Sequence, residues 1–332
     1  MSTNVIGRSL HIIHSELETR WPRRYFRGDV VQALGDAWDV GPIVRNLDEF
    51  YEHRRAFWTA SLLRTPPPTS CLWRDDLTQY LEDFDRVCVW LSRSLGNQVF
   101  FCLVLELLQR SGFPNDRVDV VFVVRSPYGN PIVDFSDLSS FFSADEIEKH
   151  FIRRPITRKE LDATHTAWSV LTSSSPASLD SWQHSDECRV FNTQACLSVL
   201  RGHFPSASTG LNVWEERLLS FVASEETRFT EATSARFEDW LTELDRPYDF
   251  VMFQMLNKLD QTCCANPLVE SHGDRSAMHS ASYTITPFGR SVLEGRANHL
   301  TWNAIDAWVG GVHNSSELGQ VWVRDEGKLR RW

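Results

Sequence analysis

The sequence predicts an α/β protein, with a Rossmann-like parallel-sheet domain followed by a mostly helical, winged-helix-like C-terminal domain. Three observations carry that expectation. The stretch Arg86–Arg110 passes from a β-rich run (Val87–Leu91) through a polar connection (Ser92–Asn97) into a segment that is apolar nearly all round (Val99–Leu108). A second β-rich run, Val118–Val124, follows the breakers Gly112 and Pro114, so strand, buried helix and strand succeed one another as a βαβ unit. Towards the C-terminus, short helical patterns precede a strand candidate, the order of a winged-helix-like module.

The remaining elements follow in order. Ser9–His14 and Asp29–Leu34 read as strands, the second running into the loop Gly35–Pro42, GDAWDVGP. Asn46–Arg64 reads as a helix, because Leu47, Phe50, Tyr51, Phe57, Trp58 and Leu62 fall at helical spacing. Pro66, Pro67 and Pro68 end it, and Leu72–Phe84 is a second helix leading into the central strand. Beyond Val124, SPYGNPIVDFSD is turn chemistry. Ser143 with Glu146, and Thr157 with Glu160, are capping boxes, the latter opening an amphipathic run to Leu171. Ser173–Pro176 reads as a linker, Val190–Phe204 as helical, and Pro205–Gly210 as a boundary. Leu211–Val222, Phe237–Leu244 and Tyr248–Leu259 are short helices, followed by a strand at Ser282–Thr286 and a helix at Pro287–Leu293. The expected division is 1–155 for the α/β domain, 156–205 for a helical connector and 206–332 for the winged-helix-like domain.

Composition bounds the function. At 332 residues and 42% apolar content, the chain can bury two modest cores. A formal charge of −10 disfavours nucleic acid and anionic lipid as partners. The first fifteen residues hold no apolar stretch of signal-peptide length, and Val99–Leu108 is too short to span a bilayer, so the expectation is a soluble, cytoplasmic protein. Seven cysteines without a C-x-x-C read as reduced, mostly buried thiols rather than a metal ribbon. No phosphate-loop, dinucleotide, nucleophile-elbow or zinc-protease motif is present, and no metal site or cofactor is named by the residues.

Candidate chemistry sits at strand exits, since in an open parallel sheet ligands bind outside the carboxyl ends of the strands. The first strand carries His11 and ends at His14, Ser15 and Glu16; the second runs into Asp36 and Asp39. The central strand ends at Trp90, Ser92, Arg93, Asn97 and Gln98, and the helix after Pro42 adds Arg54, Arg55 and Trp58. Such a rim suits a small polar or nucleotide-like ligand. If a reaction follows, Asp36 is the expected acid/base or ligand anchor, Arg55 the anion clamp, and Gln98 with Ser92 the orienting groups. Each has a plainer reading. Asp36 with Gly41-Pro42 shapes a turn, His11 is a core histidine, Arg55 pairs with Glu52 or Asp39, and Trp58 and Trp90 are core.

A second reading is a non-enzymatic regulatory or defence-type protein that binds a protein or nucleic acid through the winged-helix-like part. Charge weighs against the nucleic-acid version. Eight Lys/Arg face nine Asp/Glu between Tyr248 and Trp332, and YDFVMFQMLNKL, the helix that would enter a groove, has one lysine. That helix reads as a packing or homodimer surface.

The segments GDAWDVGPI, RRAFW, VCVWLSRSLGNQ and ITPFGRSVLEGRANHLTWNAIDAWVGGV together resemble a bacterial family known only as domain of unknown function eighteen thirty-five, with its usual C-terminal companion. The matching positions are Asp36, Gly41-Pro42, Arg55 with Trp58, Trp90, Gln98, and Trp308 with Gly310-Gly311. The chain departs from the family where a Gly-Asp follows the first strand, having His14-Ser15-Glu16 instead. The resemblance implies the architecture and no activity.

Overall fold

The computed structural model describes residues 8–14, 23, 26, 28–60, 76–123, 151–182, 193–224, 227–228, 245, 247–260, 264–275 and 278–332. In chain order the elements are β1 (Ser9–Ile13), β2 (Val30–Ala33), α1 (Leu47–Ala60), α2 (Leu77–Glu82), β3 (Arg86–Leu91), α3 (Leu95–Arg110), β4 (Val118–Val123), β5 (Phe151–Pro155) and α4 (Arg158–Leu171). There follow α5 (Ala177–Trp182), α6 (Thr193–Gly202), α7 (Val213–Ser224), β6 (Thr227–Arg228), α8 (Asp249–Lys258), β7 (Val269–Gly273) and β8 (Ala281–Ile285). The last elements are α9 (Pro287–Leu293), α10 (His299–Trp302), β9 (Asp306–Val309), β10 (Val312–Ser315), β11 (Trp322–Asp325) and β12 (Lys328–Arg331). Among the described residues no helix is long and apolar enough to cross a membrane.

The chain divides into two compact units. The first comprises Met1–Trp38, Pro67–Leu171 and Ser185–Cys196; the second comprises Asp39–Pro66, Thr172–His184 and Leu197–Trp332. The expected 206–332 segment lies wholly in the second unit, which also takes in α1.

The first unit is built on a five-stranded sheet of order β2-β1-β3-β4-β5, parallel except for β5. In β3, Val87, Cys88, Val89 and Trp90 are all fully buried, as a strand covered on both faces requires. Helix α3 packs on β3, with only Glu106, Gln109 and Arg110 escaping burial, and α4 packs on α3. The capping box opening α4 forms as expected: Glu160 N–H donates to Thr157 Oγ1 at 3.3 Å, and Thr157 N–H to Glu160 Oε2 at 2.9 Å. Its counterpart at Ser143 and Glu146 lies outside the described residues, as do Pro66–Pro68 and the helix expected at Phe237–Leu244.

Strand β5, FIRRP, is an addition to the sequence reading. It is an edge strand without apolar alternation, held through its arginines: Arg153 donates to Asp119 at 2.8 Å and Arg154 to Glu160 at 2.9 Å.

In the second unit α7, α8 and α9 enclose one core with a three-stranded antiparallel sheet of order β6-β8-β7. Trp214, Leu218, Phe253, Leu256, Tyr283 and Val292 are its centre. The expectation of a mostly helical segment is corrected here, because β7 and the hairpins β9–β10 and β11–β12 add strands. These are four or five residues long and mix polar with apolar side chains, so no clean period-2 signal marks them. Gly310 turns the β9–β10 hairpin at a φ of +58°, which explains the Trp-x-Gly-Gly pattern physically.

Candidate functional site

Because β1, β2 and β3 run parallel, their carboxyl ends share one edge of the sheet. The strand order reverses at β1, which has β2 on one side and β3 on the other, so the edge between β1 and β3 is a topological switch point. His14 follows β1, Asp36 follows β2, and Ser92 to Gln98 follow β3. Six of the sequence candidates, His14, Asp36, Ser92, Arg93, Asn97 and Gln98, are thereby gathered on one rim. Ser15 lies outside the described residues.

At the β3 exit, Ser94 caps α3 by accepting the Asn97 N–H at 3.4 Å. Two amide side chains then hold the Ser92 backbone. Gln98 Nε2 donates to Ser92 O at 2.8 Å, and Asn97 Oδ1 accepts Ser92 N–H at 3.4 Å. Ser92 Oγ and Asn97 Nδ2 remain buried and without a partner among the described residues. A buried polar atom left unpaired costs about 1–3 kcal/mol, so two of them side by side at a helix N-terminus call for an explanation. Arg93 is exposed, and His14 packs edge-on against Phe100 with ring centroids 5.6 Å apart. Asp36 is part-exposed, and its Oδ1 accepts the Ala37 N–H at 2.7 Å.

His11 and Trp90 lie fully buried on one face of the sheet; Phe26 stacks on His11 and meets Trp90 edge-on, and Phe151 packs tilted against Trp90. Trp90 Nε1 can only donate, and it reaches His11 Nδ1 at 3.1 Å. The imidazole proton therefore sits on Nε2, 3.3 Å from Asp29 Oδ2. Burial lowers the His11 pKa to about 4 despite that carboxylate, so the ring is a neutral bridge between indole and aspartate. On the same sheet, Asp119 accepts from Arg86 and Arg153, both at 2.8 Å. Burial opposes its charge, but the two guanidinium groups outweigh that and hold it below the usual carboxylate range. Cys88 and Cys102 are buried, which pushes both thiols up to about 12 and removes them as nucleophiles.

Asp39, Arg55 and Trp58 belong to the second unit. Arg55 is exposed and pairs with Glu52 at 2.9 Å, the plainer of its two readings. The buried arginine is its neighbour Arg54, which donates to Val40 O and lies over the rings of Phe57 and Trp58. Gly41, at a φ of +79°, makes room for it, because a Cβ there would stand 2.8 Å from Arg54 Nη1. Trp58 also packs against Phe250 at 5.6 Å. Asp39 Oδ1 is buried with no partner among the described residues, and burial raises its pKa to about 6.

Sequence reading missed a second polar group in this unit. Asp245 accepts from Trp214 Nε1 at 2.8 Å and faces His203 Nε2 at 3.4 Å. Burial works against a charge on His203, but the Asp245 carboxylate outweighs it and the pKa is raised. Neither residue falls in a motif; only contact between distant segments reveals the pair.

No family model matches the chain, and no curated protein matches it. Among solved structures, the DNA-binding, cleavage and re-ligation domain of Plasmodium falciparum topoisomerase II aligns at a TM-score of 0.47 and 8% identity. That alignment covers 97% of this chain but 54% of the other, so the chain spans about half the length of the structure it matches.

Proposed function

We propose that the first unit is a Rossmann-like domain that binds a small polar or nucleotide-like ligand between the carboxyl ends of β1 and β3. The observation that carries the reading is the pair of orphaned groups, Ser92 Oγ and Asn97 Nδ2, at the switch point of the strand order. A hydroxyl and an amide N–H₂ beside the first N–H groups of α3 form a donor-rich cradle for ligand oxygens. Asn97 and Gln98 act as positioning residues, since both hold the Ser92 backbone. Asp36 and His14 then flank the ligand from the neighbouring strand exits. Asp36, Trp90 and Gln98 are also positions of the family resemblance, so that uncharacterised family would share the site.

In the same proposal the second unit is winged-helix-like. Helix α7, strand β6, helix α8 and the β7–β8 pair follow in that order, with β8 between β6 and β7. Helix α8 buries Val251, Met252, Phe253, Gln254, Leu256 and Asn257. That burial supports a packing role for the helix over a place in a nucleic-acid groove.

The test is thermal unfolding with ATP, NAD and FMN, each at millimolar concentration, for the wild type and Ser92→Ala. The wild type should gain a few degrees with at least one of them, as mass action requires of a ligand that binds only the folded state. Ser92→Ala should lose that gain while its own melting temperature stays level or rises, because the change removes an unsatisfied hydroxyl. No shift with any of the three, or an unaltered shift in Ser92→Ala, would refute the site.

A further inference from the structure

The second unit encloses a cavity of about 600 Å³, walled by α1, α8, the start of α7, His299 of α10 and the β9 strand. Its size falls within the range of small-molecule sites. What distinguishes it is the fixed direction of two polar groups on its wall, Asn257 and His299.

Asn257 is fully buried, and its Oδ1 accepts from both Arg275 Nε and Tyr283 Oη at 3.1 Å. Two donors on the oxygen settle which way the amide is turned, and they leave Nδ2 without a partner among the described residues. One helical turn earlier, Gln254 Nε2 is buried and equally unpartnered. Both residues line the cavity.

His299 presents a third donor, and its tautomer follows from a similar chain of bonds. Asn266 N–H donates to Asn303 Oδ1 at 2.9 Å, which turns the Asn303 amide nitrogen towards His299 Nδ1, 3.0 Å away. Nδ1 is therefore the acceptor, and the ring proton sits on Nε2. Burial lowers the His299 pKa to about 4, so the ring stays neutral and keeps that single proton. Lys258 adds an exposed ammonium at the cavity, within electrostatic reach of the Glu215 carboxylate.

Three donors without a matching acceptor, with the Lys258 cation beside them, define a site for an oxyanion. Among the other lining residues, Phe57 from α1 and Trp308 from β9 offer flat apolar surfaces, beside polar groups such as His53, His203 and Asn212. Two lining carboxylates oppose an anion weakly. Asp306 is 76% exposed and already bound to His313, while Glu215 accepts the Asn212 N–H at 2.9 Å and burial raises its pKa.

We propose that this cavity binds a small carboxylate with a flat apolar body, its carboxylate held by Gln254, Asn257, His299 and Lys258 and its body against Phe57 and Trp308. The site is separate from the sheet rim of the first unit and does not depend on it.

Benzoate serves as the probe, with benzyl alcohol as its neutral counterpart, both followed by saturation-transfer NMR on the full chain. Benzoate should bind, and benzyl alcohol should bind at least about tenfold more weakly. Asn257→Asp keeps the acceptor for Arg275 and Tyr283 but turns the donor into a charged acceptor, and it should weaken benzoate by about tenfold or more. Lys258→Met, at an exposed position, should also weaken it and decides the matter if Asn257→Asp does not fold. Millimolar ATP, NAD and FMN, the probes of the rim, should leave benzoate bound. Absence of benzoate binding, equal binding of the alcohol, or full affinity in Lys258→Met would overturn the proposal. Displacement by one of the nucleotides would place benzoate at the rim and overturn it as well.

Discussion

In the first unit, buried polar side chains on the sheet face close on one another: Trp90 donates to His11, His11 to Asp29, and Arg86 and Arg153 both to Asp119. In the second unit the comparable circuit through Asp260, Arg275, Asn257 and Tyr283 closes on three sides and leaves an amide nitrogen facing a cavity. Buried polarity thus separates into two kinds. Where every donor meets an acceptor, the group supports the fold; where one is left over at an opening, the fold has prepared a contact for something else. By that criterion His11 and Asp119 are supports, and Ser92, Asn97, Gln254 and Asn257 are the ligand-facing groups.

The largest expected effect breaks a closed circuit. Trp90→Ala removes a fully buried indole and strips His11 of its donor, and should cost about 3–5 kcal/mol in urea unfolding. A loss under about 1 kcal/mol would mean that the closed circuit of the first unit does not support its fold.

Acid probes one histidine in each unit. His11 and His299 have folded-state pKa values lowered from 6.5 to about 4, so the unfolded chain binds more protons between those limits. Their stabilisation is present above pH 6.5 and is lost as pH falls towards 4, by roughly 3 kcal/mol each. Asp39 acts in the opposite sense. Its pKa is raised from 3.8 to about 6, so it contributes stability at low pH that disappears as pH rises through 6. Urea midpoints should fall from pH 7.5 to 4.5, and Asp39→Asn should fall more steeply. A flat wild-type profile would contradict the neutral, buried state of both histidines.

The smallest effect is expected at Arg55, whose partner Glu52 is as exposed as itself. Arg55→Ala should change stability by no more than about 0.5 kcal/mol and leave both proposed ligands bound. A loss of nucleotide response in that variant would restore the anion-clamp role and sharpen the contrast with buried Arg54.

Much of the site was legible because strand exits can be found from local pattern. The alternation from VCVWL to SRSLGNQ marks both the strand end and the polar cluster beyond it, and the structure places Ser92, Asn97 and Gln98 there. The amides of α8 carried a signal too, Gln254 and Asn257 standing one turn apart on an otherwise apolar helix. Their orientation carried none, because it comes from Arg275 and Tyr283 on later segments. Arg54 and Arg55 are indistinguishable by type; only the rings of Phe57 and Trp58 and the bare Cα of Gly41 select which is buried.

By itself the sequence determined the βαβ core, the start of α4 and the polar exit of β3. These rest on hydrophobic period, capping chemistry and turn residues, all written within a few positions of one another. Only the tertiary structure decided that β1 lies between β2 and β3, that FIRRP joins the sheet, and that His203 meets Asp245. It also decided which nitrogen of His11 and of His299 carries the proton. Those outcomes depend on pairings across tens of residues, where burial and hydrogen-bond partners select a state that local pattern leaves open.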